Sequence, residues 1–171
     1  GVFCFNSMLS WWAPHIGIRP AWEEPIRIEV KDNRMVKITG GLEADYLNHF
    51  LKEMEGKVGD GIWNFDTFHF GVHPNAHVED YQCPDIYLRR TIDHSHCSNV
   101  HFHIGSAPGN ENYPFYSHIT GDIRRATLEV DGKMVYEDGY MCCLEDPRVK
   151  EVEAKYPGRP GIPERWQKLW Y

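Results

Sequence analysis

No apolar run in the sequence approaches the roughly 20 residues that a membrane span needs, so no membrane association is expected. No basic block is present either. Lys and Arg number 18 against 25 Asp and Glu, and the net charge is −7. A nucleic-acid partner, whose phosphates call for clustered cations, is therefore excluded. The five cysteines, Cys4, Cys83, Cys97, Cys142 and Cys143, include no CxxC pair, which removes zinc-ribbon and thioredoxin-like sites. Buried free thiols in a reducing cytoplasm are the expectation. The segment GSAPGN after His103 lacks the lysine of a phosphate-binding loop and the spacing of a dinucleotide fingerprint. Internal repeats and low-complexity tracts are missing. So is a basic segment in the opening GVFCFNSMLSWWAPH, and no secretory leader is expected. Gly1 is not a start residue, so the chain is expected to begin inside a longer parent or after processing.

What is abundant is histidine. Of ten, His69, His73, His77, His94, His96, His101, His103 and His118 crowd one stretch. That concentration points to a metal or acid–base site. With 171 residues, 42% hydrophobic and 25% charged, the chain reads as one globular domain.

Local patterning gives an α+β fold, antiparallel and β-rich with one main amphipathic helix. IRIEV and MVKI alternate about the turn KDNR, which predicts a hairpin over 26–38. Leu42, Tyr46, Leu47, Phe50, Leu51 and Met54 follow helical spacing over about 42–55. GIWNFDTFHF predicts a strand, NVHFHIGSA a second, and SHITGDIRRATLEVDGKMVYEDG a further strand pair turning at Asp131-Gly132. Residues 85–90 read as a short strand or a turn, and His94 and His96 as exposed loop. Residues 1–25, rich in Pro and Trp, read as irregular. Together with the proline-rich tail 147–171 they are expected to be arms laid on a partner, through surfaces such as Trp11–Trp12 and Trp166–Tyr171.

Residues two apart on a strand share a face, so His101 and His103 project together, opposite Val100, Phe102 and Ile104. His69 sits on its own strand, His118 opens another, and Asp122 lies just inside it. Two histidines and a carboxylate with open positions is the ligand set of non-haem Fe(II) oxygenases, and a zinc hydrolase would use the same donors.

These motifs, EPIRIEVKDNRMVKITGGLEADYLNHFL, HFGVHPNA, NVHFHIGSAPGN and SHITGDIRRATLEVDGKMVYEDG, resemble in order and spacing the carboxy-terminal half of 2,5-dihydroxypyridine dioxygenases. That group lies within the aminopeptidase-T-like metallopeptidase superfamily. The resemblance covers roughly residues 22–140, and GGLEA with the final strand pair is its most specific part. It implies ferrous iron held by two histidines and an aspartate, and extradiol-like opening of a pyridine ring. One implied histidine position falls on Thr67, with His69 two residues on. The implied His-x-Asp pair falls on His118 and Thr120, with Asp122 two residues on. The family's amino-terminal portion has no counterpart here, so the domain, 1–171, is expected to be completed by another chain or region.

The expectation is thus a cytoplasmic, mononuclear non-haem iron oxygenase domain, Fe(II) or alternatively Zn being bound by His69, His118 and Asp122. His103 and His101 would move protons, and His103 or Glu43 would orient a ligand. If His118 and Asp122 stand apart, the ligand role passes to His101 and His103, or the site is vestigial. The substrates would be a small hydroxylated aromatic or N-heterocycle and dioxygen, and the partner a homo- or hetero-oligomeric subunit supplying the amino-terminal half. The alternatives are a metallopeptidase-like hydrolase, for which Glu43 and Glu79 are the available glutamates, and a metal-free assembly domain, favoured by Thr67 and Thr120.

Overall fold

The computed structural model describes residues 1–8, 10, 12–73, 76, 78, 81–107, 117–123, 125–159 and 161–162. Trp11, His77, Glu79 and residues 166–171, named above, lie outside them, as does the loop beyond Ala107.

Alternating patterns build a main sheet of six strands: β1 (Val2–Met8), β2 (Ala21–Lys31), β3 (Arg34–Thr39), β4 (Phe65–Phe70), β5 (Val100–Ala107) and β6 (Ser117–Ile123). Their order is β3-β2-β1-β6-β5-β4, every neighbour antiparallel. A small second sheet holds β7 (Leu128–Val130), β8 (Lys133–Glu137) and β9 (Tyr140–Met141). The helices are α1 (Leu42–Val58), α2 (Ile86–Asp93) and α3 (Pro147–Ala154). The protein is therefore α+β, antiparallel and β-rich, with one main helix. Among the described residues no helix is long and apolar enough to cross a membrane.

Two of the hairpin turns follow directly from turn chemistry. Asp32-Asn33 (φ 49° and 58°) joins β2 to β3, and Asp131-Gly132 (φ 49° and 75°) joins β7 to β8. Positive φ at both central residues matches the twist of paired strands, which is why Asp, Asn and Gly stand there.

Three segments differ from the sequence reading. Val2–Met8 is not irregular but a strand in the middle of the main sheet, and β2 runs through Pro25. Pro25 is tolerated because it has no partner in either register: the β1–β2 pairing is irregular between Phe5 and Ser7, where β2 carries the extra residues, and pairing with β3 begins at Arg27. Residues 86–93 are a helix, capped by Asp85 Oδ1, which accepts from the Tyr87 and Leu88 amides at 2.9 Å each. Within the tail, α3 is capped by Asp146, whose Oδ1 accepts from the Arg148 amide at 2.8 Å. Of the five cysteines, all free, Cys97 alone is buried.

The core lies on one face of the main sheet. Phe102 centres it, with ring centroids 4.5 Å from Phe3 and 4.7 Å from Phe5. Ile104 and Ile119 extend it, and α1 covers it with Ala44, Leu47 and Leu51 beside Ile26, Ile28 and Ile38 of the β2–β3 hairpin. Trp12 stacks on Phe50 of α1, and Trp22 is buried against Phe5, so these two tryptophans pack within the chain itself.

Leu47 and Leu51 are fully buried, and Leu47→Ala or Leu51→Ala is expected to cost about 2–5 kcal/mol in a denaturant melt. Gly121 faces Phe102 across β5 and β6, and a Cβ there would lie 2.1 Å from the ring. Gly121→Ala should therefore displace Phe102 and cost about 1–3 kcal/mol, and an unchanged unfolding midpoint would show that the ring moves aside freely.

Candidate metal centre

The sheet's other face carries the imidazoles. Cross-strand partners point the same way, so the register arranges side chains in rows. One row reads His69, His101, Asp122 and Ser7 across β4, β5, β6 and β1. The next reads Thr67, His103 and Thr120. His118 stands two residues farther along β6. Five imidazoles run together across these rows. His94 stacks on His101 at 3.9 Å, and His69 lies 4.7 Å from His101 and 4.6 Å from His103, centroid to centroid. His103 meets His118 edge-on at 3.9 Å.

Among the described residues, two groups bring three ligand atoms within 4.8 Å of one another: His69, His101 and His103, and Asp66, His103 and His118. His69 and His118 thus each enter a group, and His103, expected to move protons, belongs to both. Asp122 enters neither. The reason lies along the strand: residues four apart on β6 are separated by about 13 Å, so a shared face does not bring His118 and Asp122 to one ion. Asp122 is instead buried, its Oδ2 accepting from the Ser7 hydroxyl at 3.2 Å.

Asp66 supplies the carboxylate by an irregularity that alternation could not show. Phe65 pairs with Ile104 and Thr67 with His103, so Asp66 is an extra residue in β4. Such a bulge re-aims one side chain and recurs beside functional sites. The oxygen of Asp66 reaches the histidines from the sheet's edge, where β4 is the last strand.

Burial, reinforced by the neighbouring imidazoles His94, His69 and His103, pushes His101 down to about 3. Burial and His118 likewise hold His103 down at about 4, against an opposing pull from Asp66. Both rings are therefore neutral near pH 7 with a lone pair to offer, the form a metal ligand must take. Thr67 Oγ1 holds His69 Nε2 at 2.7 Å and fixes that ring's orientation.

Three other residues stand elsewhere than expected. His96 is buried, not looped out, with its Nδ1 2.7 Å from Ser98 Oγ, and His94 lies against His101. Glu43 sits on α1, across the sheet from the histidines, in a salt bridge to Arg19 at 2.6 Å. It is a structural carboxylate. Two clefts, of about 830 Å³ beside α3 and about 880 Å³ between β1, β4 and β7, are lined by no histidine, so side-chain chemistry rather than cavity size locates the site.

An antiparallel sheet with its core on one face and imidazoles with a carboxylate at ligand spacing on the other defines a candidate metal-site domain. The family is specific. The model of the 2,5-dihydroxypyridine 5,6-dioxygenase family matches residues 16–143, most of the chain, and the chain belongs to that family. No curated protein matches it. Among solved structures, a 2,5-dihydroxypyridine dioxygenase from Pseudomonas putida KT2440 shares the fold with a TM-score of 0.58 at 18% identity. The match covers 82% of this chain and 39% of that one, so the chain spans well under half of that protein's length.

Ser7 is fully buried beneath Asp122. Ser7→Ala removes a charged group's hydroxyl donor and should cost about 1–3 kcal/mol, read as a lowered urea midpoint. A midpoint equal to wild type would show that Asp122 does not need this contact.

Proposed function

We propose that this chain is the metal-holding part of an iron-dependent dioxygenase that opens a small hydroxylated aromatic or N-heterocyclic ring. One observation carries the reading: Asp66, His103 and His118, from three neighbouring strands, offer ligand atoms within 4.8 Å of one another. Two imidazoles and one carboxylate suit ferrous iron, because the carboxylate offsets part of the metal's charge and three ligands on one side leave the other side open. Thr67 and Thr120 stand where the family resemblance implies ligands, and His103 lies between them in register. The donors fit the group with His103 in the central place.

Held by these residues, ferrous iron would supply the redox chemistry that lets a hydroxylated ring react with dioxygen. The chain's residues do the rest. His103, neutral near pH 7, and His118 would hold the ion with ring nitrogens presented from β5 and β6. Asp66, exposed at the edge, would hold the ion through its carboxylate, which could also accept a hydrogen bond from a ring hydroxyl. The Thr67 hydroxyl and His69 Nε2, in contact beside His103, give a proton a short path off that hydroxyl. His101 does not take up a second proton near pH 7, since burial pushes it down to about 3. A cytoplasmic setting and a partner or further region that completes the substrate pocket belong to the same reading. The structural match, which covers only 39% of the Pseudomonas putida protein, supports the latter.

The test is anaerobic loading of the purified chain with Fe(II), followed by metal analysis. Wild type should hold about one iron per chain, Asp66→Ala and His118→Ala should hold almost none, and circular dichroism should be unchanged. Equal loading of the two variants and wild type would overturn the ligand set. Two zincs per chain would favour a hydrolase, and no bound metal the assembly domain to which Thr67 and Thr120 point.

A further inference from the structure

The second donor group shares only His103 with the iron site. His69, His101 and His103 bring three ring nitrogens within 4.8 Å of one another on adjacent strands, and among the described residues no carboxylate joins that group. His69 and His101 are direct register partners, their rings parallel to within 6°. His94, stacked on the far side of His101 at 3.9 Å and 7°, holds that ring in place. His69 is held in turn by Thr67. The buried Nδ1 of His101 has no hydrogen-bond partner among the described residues. Three oriented nitrogens without an oxygen donor make a different site from the one at Asp66.

We infer that His69, His101 and His103 form a separate all-imidazole site for a borderline divalent cation, Zn²⁺ above all. Nitrogen donors suit zinc and its neighbours, and three histidines with one open position is a zinc ligand set, whereas oxygen donors shift preference toward harder ions. The site is independent of the iron reading except at one residue. Because His103 belongs to both groups, zinc at the imidazole site takes a ligand from the carboxylate site, and it also ties up His69. The two sites therefore cannot fill together with full ligand sets. Zinc is expected to exclude iron and to act as an inhibitor of whatever chemistry the Asp66 site performs.

Binding of Zn²⁺, and of Co²⁺ as a spectroscopic probe, to the metal-free chain tests this without any activity measurement. The variants are His69→Ala, His101→Gln, Asp66→Asn and His118→Ala, each checked for folding by its melting curve. Zinc affinity should fall about tenfold or more in His69→Ala and His101→Gln, and change less than about threefold in Asp66→Asn and His118→Ala. Cobalt in wild type should show the strong visible bands of a four-coordinate nitrogen site, and His69→Ala should lose them. Should His101→Gln fail to fold, exposed His69 carries the test alone. The site is refuted if zinc does not bind, or if its affinity follows Asp66 and His118 while ignoring His69 and His101. The iron reading fails on separate arms, when Fe(II) loading is indifferent to Asp66 and His118, so one idea can fall while the other stands.

Discussion

Phe102 seated over Gly121 is the contact on which the rest of this structure depends. The ring fills the place where any other residue at 121 would put a Cβ, and it touches Phe3 and Phe5 of β1 at the same time. It therefore locks β5 to β6 and ties both to the middle of the sheet. Side chains alternate with a period of two, so a slip of one residue would turn Phe102 outward and His101 and His103 into the core. Burying two imidazoles among Phe3, Phe5 and Leu47 would leave their nitrogens without partners, and exposing Phe102 would forfeit the centre of the apolar cluster. The hydrophobic face selects the register, and the register delivers the histidines.

From that register the donors fall into rows, and two irregularities adjust them. The irregular β1–β2 pairing between Phe5 and Ser7 accompanies a change of face that puts Met8 opposite Gly121, on the core side, and Ser7 opposite Asp122. The bulge in β4 pushes Asp66 toward His103 and His118. Without the first, Asp122 would lack its hydroxyl donor. Without the second, the carboxylate would be missing from the donor group. Irregular pairing at these two points does what regular pairing cannot, because a regular strand places same-face residues about 7 Å apart and never adjacent.

Much of this was legible in the order of residues. The period-two runs at 26–38 and 100–104, the Asp-Gly turn at 131–132 and the helical spacing at 42–54 each encode a local preference that the fold keeps. The histidine face was legible for the same reason, since alternation alone separates His101 and His103 from Phe102. Distance along a strand was the missing quantity. It separates His118 from Asp122, and a reading by face does not weigh it. Bulges were hidden as well, because the extra residue in β4 is defined by its partners Ile104 and His103, which lie far off in sequence. The strand at Val2–Met8 was masked by nearby prolines, although its own VFCF alternation is regular. His96 was hidden by its polar neighbours, though it packs beside Ser98 in the interior.

The crowding of imidazoles has a physical consequence that bears on the site. A half-buried histidine surrounded by other histidines cannot hold a charge, because desolvation and like-charge repulsion act in the same direction; both lower His101 and His103. A neutral ring still has one donor and one acceptor nitrogen to satisfy, and a buried one left unpartnered, as His101 Nδ1 is among the described residues, costs about 1–3 kcal/mol. A purely structural domain would lower its energy by replacing such a ring with an apolar residue of similar size. Keeping it makes sense where a cation supplies the missing partner, since metal binding then adds directly to the stability of the folded state. The same features that make these rings poor proton carriers, their neutrality and their fixed orientation, make them suitable ligands.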